Sequence, residues 1–352
     1  MDLGTKKMAF VALGDFLFQF SSPNFQKNEK ISLNELFYKD FEELIYDSVN
    51  YNGWFTADQI IVAIDSWTKA LTKENLDLWT SKYDFSFEPM KKIGLILAGN
   101  IPLVGFHDFL SVLISGNTVK VKLSSNDSKL LPFLAKYLIA IQPEFADRIE
   151  FVKERLEGFE AVIATGSNNT ARYFEYYFSN YPNVIRKNRN SVAVLNGSES
   201  KKDLVALGKD IFTYYGLGCR NVSKLFVPKD YNFDNFFQAM FEYKEVIEYE
   251  KYSNNYDYNK AVFLMSEYKI LDNGFMTIKE DKAYSSPISS VFYEYYDDLQ
   301  QLEQQLKADY EKIQCIVSCG IITGSIAFGK SQFPQLWDYA DNVDTLTFLL
   351  SL

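Results

Sequence analysis

The stretch KIGLILAGNIPLVGFHDFLSVLISGNTVKVKLSS, residues 92–125, decides the fold class. Its apolar run is interrupted by Asn100 and Pro102, so 93–98 reads as a buried strand that ends in a turn. Residues 103–115 then carry an amphipathic helical pattern, 118–123 alternate as a strand does, and 127–141 return to the helical period. That is βαβα. Outward from it, strands are predicted at 149–152, 161–164 and 192–195, with a helix at 168–179 between them. The region therefore reads as a doubly wound α/β domain, a fold that binds nucleotides at the carboxyl ends of its strands.

Before this stretch, apolar spacing predicts helices at 8–20, 33–49, 56–71 and 73–83, with Ser32 placed to cap the second. After it, the polar cluster Asn196-Gly197-Ser198-Glu199 marks the expected boundary to a second α/β domain. There, helices are predicted at 203–215 and 233–249, and a third carries the stripe Leu299, Leu302, Leu306, Tyr310 and Ile313. A strand containing Cys315 and Cys319 follows, with both thiols on one face and buried. The Tyr/Asn-rich segment 252–258 reads as an exposed loop. The expected organisation is a helical portion at 1–91 packed on the cofactor domain, a nucleotide-binding domain at 92–196 and a catalytic domain at 197–332. A final segment, 333–352, is expected to return to the cofactor domain or to form an oligomer contact.

Composition narrows the function. The 352 residues are 47% hydrophobic and 23% charged, as in ordinary globular proteins, and are long enough for more than one core. A net charge of -10 argues against nucleic acid as a partner, because sequence-independent binding needs basic patches. Three cysteines do not make a disulfide framework, and a cytoplasmic setting is expected. The first 20 residues lack the pattern of a secretion signal, and no stretch reads as an integral membrane segment. A single histidine, His107, leaves no two-histidine metal site, so no metal is expected.

Four local patterns carry possible chemistry. Cys219 stands between a glycine turn, Gly216-Leu217-Gly218, and a short strand at 224–227, which presents a thiol rather than packing it. Asn100 ends an apolar strand between Gly99 and Pro102, where its amide can meet an oxyanion or merely close the turn. Lys120 and Lys122 share one strand face that runs into Ser124 and Ser125, an arrangement suited to a phosphate or to a solvated edge. Thr165-Gly166-Ser167 precedes a helix and offers N–H groups to an anion.

Taken in order, Asn100-x-Pro102, the run from Gly116-Asn117-Thr118 to Lys122, Thr165-Gly166-Ser167, and Cys219 with Ser223 and Phe226-Val227 beyond it resemble the aldehyde dehydrogenase superfamily. Within it, the chain is most similar to the acyl-CoA reductases, the Lux-type fatty-acyl reductases of luminous bacteria. The segments Ser286-Pro287-Ile288 and Leu336-Trp337-Asp338-Tyr339 also fit that group. The resemblance implies an aldehyde dehydrogenase-like α/β fold, with Cys219 as nucleophile and Asn100 with the Cys219 N–H as oxyanion hole. It further implies Lys122, Ser124 and Ser125 at the adenosine ribose or its phosphate, and Thr165, Gly166 and Ser167 along the cofactor.

Two departures from the pattern matter. Hydrolytic relatives carry a Glu where this chain has Ile185-Arg186-Lys187-Asn188-Arg189-Asn190-Ser191, and no acid occurs between Glu175 and Glu199. Without a base to activate water, the acyl group is expected to enter or leave as a thioester. Where NAD-preferring relatives have Glu three residues after the lysine, Ser125 stands here, which favours NADPH; NADH stays possible because Asp127 could act on a ribose. The Glu-x-Phe of many relatives falls near Ala283-Tyr284-Ser285, so its cofactor contacts do not carry over. The expected activity is NADPH-dependent reduction of a medium- or long-chain acyl-CoA, or another acyl thioester, to an aldehyde. The alternatives are the same fold run oxidatively with CoA as acceptor, a noncatalytic acyl-binding subunit of a fatty-acid reductase complex, and a Cys219/His107 thioesterase. A homo-oligomer is expected.

Overall fold

The computed structural model describes residues 1–86 and 90–352. The chain divides into two compact units, one formed by Met1–Lys187 with Pro334–Leu352 and the other by Asn188–Phe333.

The first unit begins with four helices, α1 (Leu3–Phe18), α2 (Asn34–Tyr51), α3 (Ala57–Ala70) and α4 (Lys73–Thr80). Helix α1 starts where Asp2 accepts the Thr5 N–H, and α4 where Thr72 accepts the Asn75 N–H, each side chain satisfying an otherwise unpaired end amide. Ser32 does not cap α2. Leu33 takes the capping position in the left-handed region, φ 63°, while Asn34 is held inside by Gln19 and the Asn28 carbonyl.

Next come β1 (Lys92–Ile96), α5 (Phe106–Ile114), β2 (Thr118–Lys122), α6 (Leu130–Ile141), β3 (Ile149–Val152), β4 (Ala161–Thr165), α7 (Asn168–Tyr177) and β5 (Asn183–Arg186). Their sheet has the order β3-β2-β1-β4-β5 with every pairing parallel. Chain direction along the order reverses between β1 and β4, which is where such sheets open a ligand crevice beyond their carboxyl ends. Phe10, Phe16, Phe106, Phe109, Trp79 and Tyr137 are almost fully buried in the core that joins the first helices to this sheet.

The second unit contains β6 (Asn190–Val194), α8 (Lys201–Phe212), β7 (Val222–Pro228), α9 (Asp234–Met240), α10 (Glu250–Met265), β8 (Ile270–Asp272), β9 (Thr277–Glu280), β10 (Ser290–Tyr296), α11 (Leu299–Ala308) and β11 (Ile313–Val317). Its sheet has the order β11-β6-β7-β10-β9-β8, parallel except for β8 against β9. A last helix, α12 (Thr345–Leu350), belongs to the first unit, where Leu346 and Leu349 are buried.

Several sequence expectations are corrected. The strand expected to complete the nucleotide-binding domain is β6, and it pairs with β7 and β11 in the second sheet. An all-apolar run reads the same in either sheet, so its pattern could not assign it. The segment 252–258 is not a loop but lies within α10, where Tyr252 and Tyr256, one helical turn apart, are buried. The expected helix at 233–249 is α9 followed by tighter turns at Phe241–Glu248. Cys315 is half-buried on β11, but Cys319 lies beyond the strand and is exposed, so the two thiols do not share a buried face.

Candidate active site

Three of the motifs follow three adjacent strands of the first sheet. Asn100 lies just beyond β1, Ser124 and Ser125 just beyond β2, and Thr165 ends β4 with Gly166 and Ser167 after it. All three therefore reach the carboxyl edge of the sheet at its switch point. Asn100 and Ser125 are exposed, and Ser124, Thr165 and Gly166 are half-buried. Ser167 caps α7 by accepting the Thr170 N–H at 3.2 Å. A Cβ on Gly166 would stand 3.1 Å from the Thr170 side chain and 3.0 Å from Phe174, so the turn is tightly packed there.

The β1 and β2 loops are fastened to one another. Leu97 N–H donates to the Lys122 carbonyl, and a Cβ on Gly99 would lie 2.8 Å from Ser124 and 2.9 Å from the Asp127 nitrogen. Asp127 is turned inward, with Oδ2 accepting the Leu103 N–H at 3.0 Å. Burial, offset in part by the N–H groups of Leu103 and Leu130, pushes its pKa up to about 6. The ammonium of Lys122 donates to the carbonyls of Lys153 (2.9 Å) and Glu154 (2.5 Å) and so holds the loop after β3 beside this edge.

Cys219 sits in the second unit, in the turn before β7, a central strand of its sheet. The thiol is half-buried. Helix α8 starts on a reciprocal cap between Ser200 and Asp203 and gives way to three successive residues with positive φ: Tyr214 (53°), Tyr215 (56°) and Gly216 (80°). Two tyrosines in the left-handed region are costly, so the surroundings must hold them there. Asn221, 1% exposed, does much of this. Its Nδ2 donates toward the carbonyls of Asp210 (3.0 Å), Ile211 (3.2 Å) and Thr213 (2.7 Å), and its Oδ1 accepts the Gly218 N–H at 2.8 Å. Tyr215 stacks on Tyr249 with centroids 4.8 Å apart. Behind the turn, the Ser191 hydroxyl donates to the Cys219 carbonyl and lies 3.0 Å from the Cys315 sulfur.

Beside the turn is a small, open pocket whose lining includes Phe212, Tyr215, Tyr252, Met276 and Ile288 together with Ser223. Ser223 donates to the Tyr284 carbonyl at 2.6 Å, which fastens the segment leading to Ser286-Pro287-Ile288 against β7.

The stretch 185–191 holds a feature the sequence reading missed. Arg186, 4% exposed, forms a forked pair with Asp108 (2.7 and 3.2 Å) and also donates to the Ala340 carbonyl and the Thr345 hydroxyl. Glu199, the first acid after Glu175, has its two oxygens on the N–H groups of Asn196 and Gly197. His107 has its Nε2 on the Leu336 carbonyl at 2.8 Å, so that nitrogen is a donor and not a base.

Solved structures show what fold this is. The chain superposes on aldehyde dehydrogenase 21 from Physcomitrella patens with a TM-score of 0.65 and 11% identity, covering 100% of this chain and 84% of that one. It matches aldehyde dehydrogenase PutA from Anabaena variabilis with a TM-score of 0.57 and 15% identity (90% and 78% covered), and a Bacillus cereus aldehyde dehydrogenase solved with NAD+ with 0.61 and 13% (90% and 72%). The fold is that of the aldehyde dehydrogenases. Within it, residues 11–249 match the acyl-CoA reductase (LuxC) family, and the chain belongs to that family. A curated relative, long-chain acyl-protein thioester reductase 2 of Photobacterium leiognathi, is 22% identical over 201 residues, 52% of this chain. The match spans about two fifths of that relative, 41%. Among the described residues, no helix is long and apolar enough to cross a membrane.

Proposed function

We propose that the protein reduces an acyl thioester to an aldehyde through an acyl-cysteine. Cys219 attacks the thioester carbonyl as thiolate, a C–S bond forms, and the original thiol leaves with a proton. The Asn100 amide and the Cys219 N–H would donate to the oxygen as negative charge develops on it. A nicotinamide cofactor, when bound, supplies the hydride that reduces the acyl carbon. The C–S bond to Cys219 then breaks, giving the aldehyde and regenerating the thiolate. Overall, the thioester, the reduced cofactor and one proton give aldehyde, free thiol and oxidised cofactor.

The edge formed beyond β1, β2 and β4 suits a dinucleotide, with Lys122, Ser124 and Ser125 at the adenosine ribose and Thr165, Gly166 and Ser167 along the cofactor. Asp127 faces inward on Leu103, which leaves Ser125 rather than a carboxylate at the ribose and supports NADPH over NADH. The observation that carries the thioester reading is that the stretch 185–191, where hydrolytic relatives keep a base for water, has no acid: Arg186 within it is clamped on Asp108, and the next acid, Glu199, is held by the N–H groups of Asn196 and Gly197. The geometry of the fold is equally suited to the reverse reaction, with an aldehyde oxidised onto CoA, and cellular ratios set the direction.

The test follows NADPH absorbance with acyl-CoAs of increasing length, with aldehyde trapped as product. Equal loss of NADPH and formation of aldehyde supports the proposal and gives the acyl preference. Release of free fatty acid without NADPH loss would instead support the thioesterase reading.

A further inference from the structure

We propose that Asp127 is a positioning residue: its carboxyl, through the Leu103 N–H, holds the Asn100 loop to the Ser124-Ser125 loop, so the cofactor-ribose edge and the oxyanion amide form one piece. The inference rests on the functional reading above for the roles of those two loops, and the clamp itself rests on the geometry.

Between Gly99 and Gly105 the chain leaves β1, turns back and enters α5, with the Phe106 N–H on the Leu103 carbonyl at 3.0 Å. Leu103 takes φ 57°, a conformation a branched aliphatic residue avoids unless held. Its N–H points at Asp127 Oδ2, 3.0 Å away and 24 residues later in sequence. Asp127 is in turn anchored by its own N–H to the Ser124 carbonyl (3.2 Å), and the Asn126 N–H reaches the Ser124 hydroxyl (3.2 Å). On the other side, Gly99 lies so close to Ser124 and Asp127 that a Cβ does not fit. The two loops thus meet at both ends of the turn carrying Asn100, through close packing at Gly99 and through the carboxyl at Leu103.

Asp127 is 8% exposed, and its Oδ1 has no hydrogen bond of ordinary length and angle. A buried carboxyl half-satisfied in this way is a poor choice for stability alone. What it supplies is an acceptor at the one place where the Leu103 amide needs it. An oxyanion donor is effective only when it is already aimed at the place where charge develops, so a loosened Asn100 loop lowers the rate of acyl transfer without altering the thiol.

Two variants test this: Asp127→Leu, which keeps the bulk and removes the acceptor, and Asp127→Asn, which keeps an acceptor for Leu103. Hydrogen exchange of the 98–105 segment is read first, because it needs no activity. Asp127→Leu is expected to speed exchange there at least tenfold and Asp127→Asn less than threefold. In the unmodified protein, 2′,5′-ADP, which carries only the ribose-phosphate end of the cofactor, is expected to slow that exchange, and in Asp127→Leu it is not. Acyl transfer is then followed as CoA release in a single turnover, beside alkylation of Cys219 by iodoacetamide, a reaction that needs no oxyanion hole. For Asp127→Leu, acyl transfer is expected to fall 10- to 100-fold with alkylation within twofold, and Asp127→Asn to restore acyl transfer to within threefold. Unchanged exchange in Asp127→Leu overturns the clamp. So does an Asp127→Asn protein as impaired as Asp127→Leu, or a parallel loss of alkylation. Normal alkylation with no acyl transfer in the unmodified protein overturns the functional reading, and the exchange data then still decide the clamp.

Discussion

Replacing Asn221 tests the account of the cysteine turn most severely. Its amide is fully engaged: the two N–H donors face three carbonyls at the end of α8, and the oxygen accepts from Gly218. At about 1 kcal/mol net for each of two donors and one acceptor, Asn221→Ala should cost roughly 3 kcal/mol. The loss also frees Tyr214 and Tyr215 to leave the left-handed region, where each is held at a cost of about 1–2 kcal/mol. The turn should then relax and move the thiol. Asn221→Asp is the sharper variant, because it keeps the shape and the acceptor for Gly218 but turns a carboxylate oxygen toward three carbonyls. It should therefore be at least as destabilising as Asn221→Ala at pH 8. Urea unfolding can be read separately for the two units. Trp54, Trp67, Trp79 and Trp337, the four tryptophans, all belong to the first unit, whereas far-ultraviolet circular dichroism reports both. The variants should lower the dichroism midpoint and slow alkylation of Cys219. An Asn221→Asp protein as stable and as reactive as the unmodified one would refute the reasoning.

Other perturbations follow from the same contacts. The Asp127 pKa of about 6 lies above the ordinary 3.8, so the native state gains a proton before the unfolded chain as pH falls. The associated destabilisation develops as pH rises through that window and is complete near pH 7, at roughly 3 kcal/mol. Asp127→Asn should therefore be more stable than the unmodified protein at pH 8, by up to that order, with the gap closing toward pH 4; a gap independent of pH would contradict this. Arg186→Met should cost about 3–5 kcal/mol by leaving Asp108 charged and buried, and adding Asp108→Leu should recover most of it, both measured by tryptophan emission in urea. A cost below about 1 kcal/mol would show the pair to be dispensable. Ser125→Glu should weaken NADPH binding about tenfold or more while sparing NADH, as measured by fluorescence titration; equal loss for both cofactors would remove Ser125 from the ribose site.

The alternation of strand and helix from Lys92 onward was legible because β1 and β4 are mostly buried, β2 alternates, and all three run into glycine, asparagine or serine turns. The motifs follow strands in sequence, so recognising the strands also placed Asn100, Ser124 and Thr165 at one sheet edge. Strand β6 was harder to place, since four successive buried residues do not say which sheet they join. The buried tyrosines of α10 were hidden by asparagines and charges on the same helix, which gave the segment a loop-like composition. Long-range partners left no local mark. Arg186 and Asp108 are 78 positions apart, and Asn221 is one polar residue beside a turn. The available signal for Asn221 was its chemistry: near a glycine turn, a side chain with two donors and an acceptor can tie off a helix end and an amide at once.

The central claim is that Cys219 carries the acyl group between the thioester and the cofactor. The most direct measurement is intact-protein mass after mixing with an acyl-CoA in the absence of cofactor, with the adduct mapped by peptide analysis. The account predicts a mass increase of one acyl group on Cys219, absent from Cys219→Ala, that disappears on addition of NADPH as aldehyde forms. An acyl group found on Cys315 or Cys319, or an adduct on Cys219 that NADPH does not discharge, would contradict it.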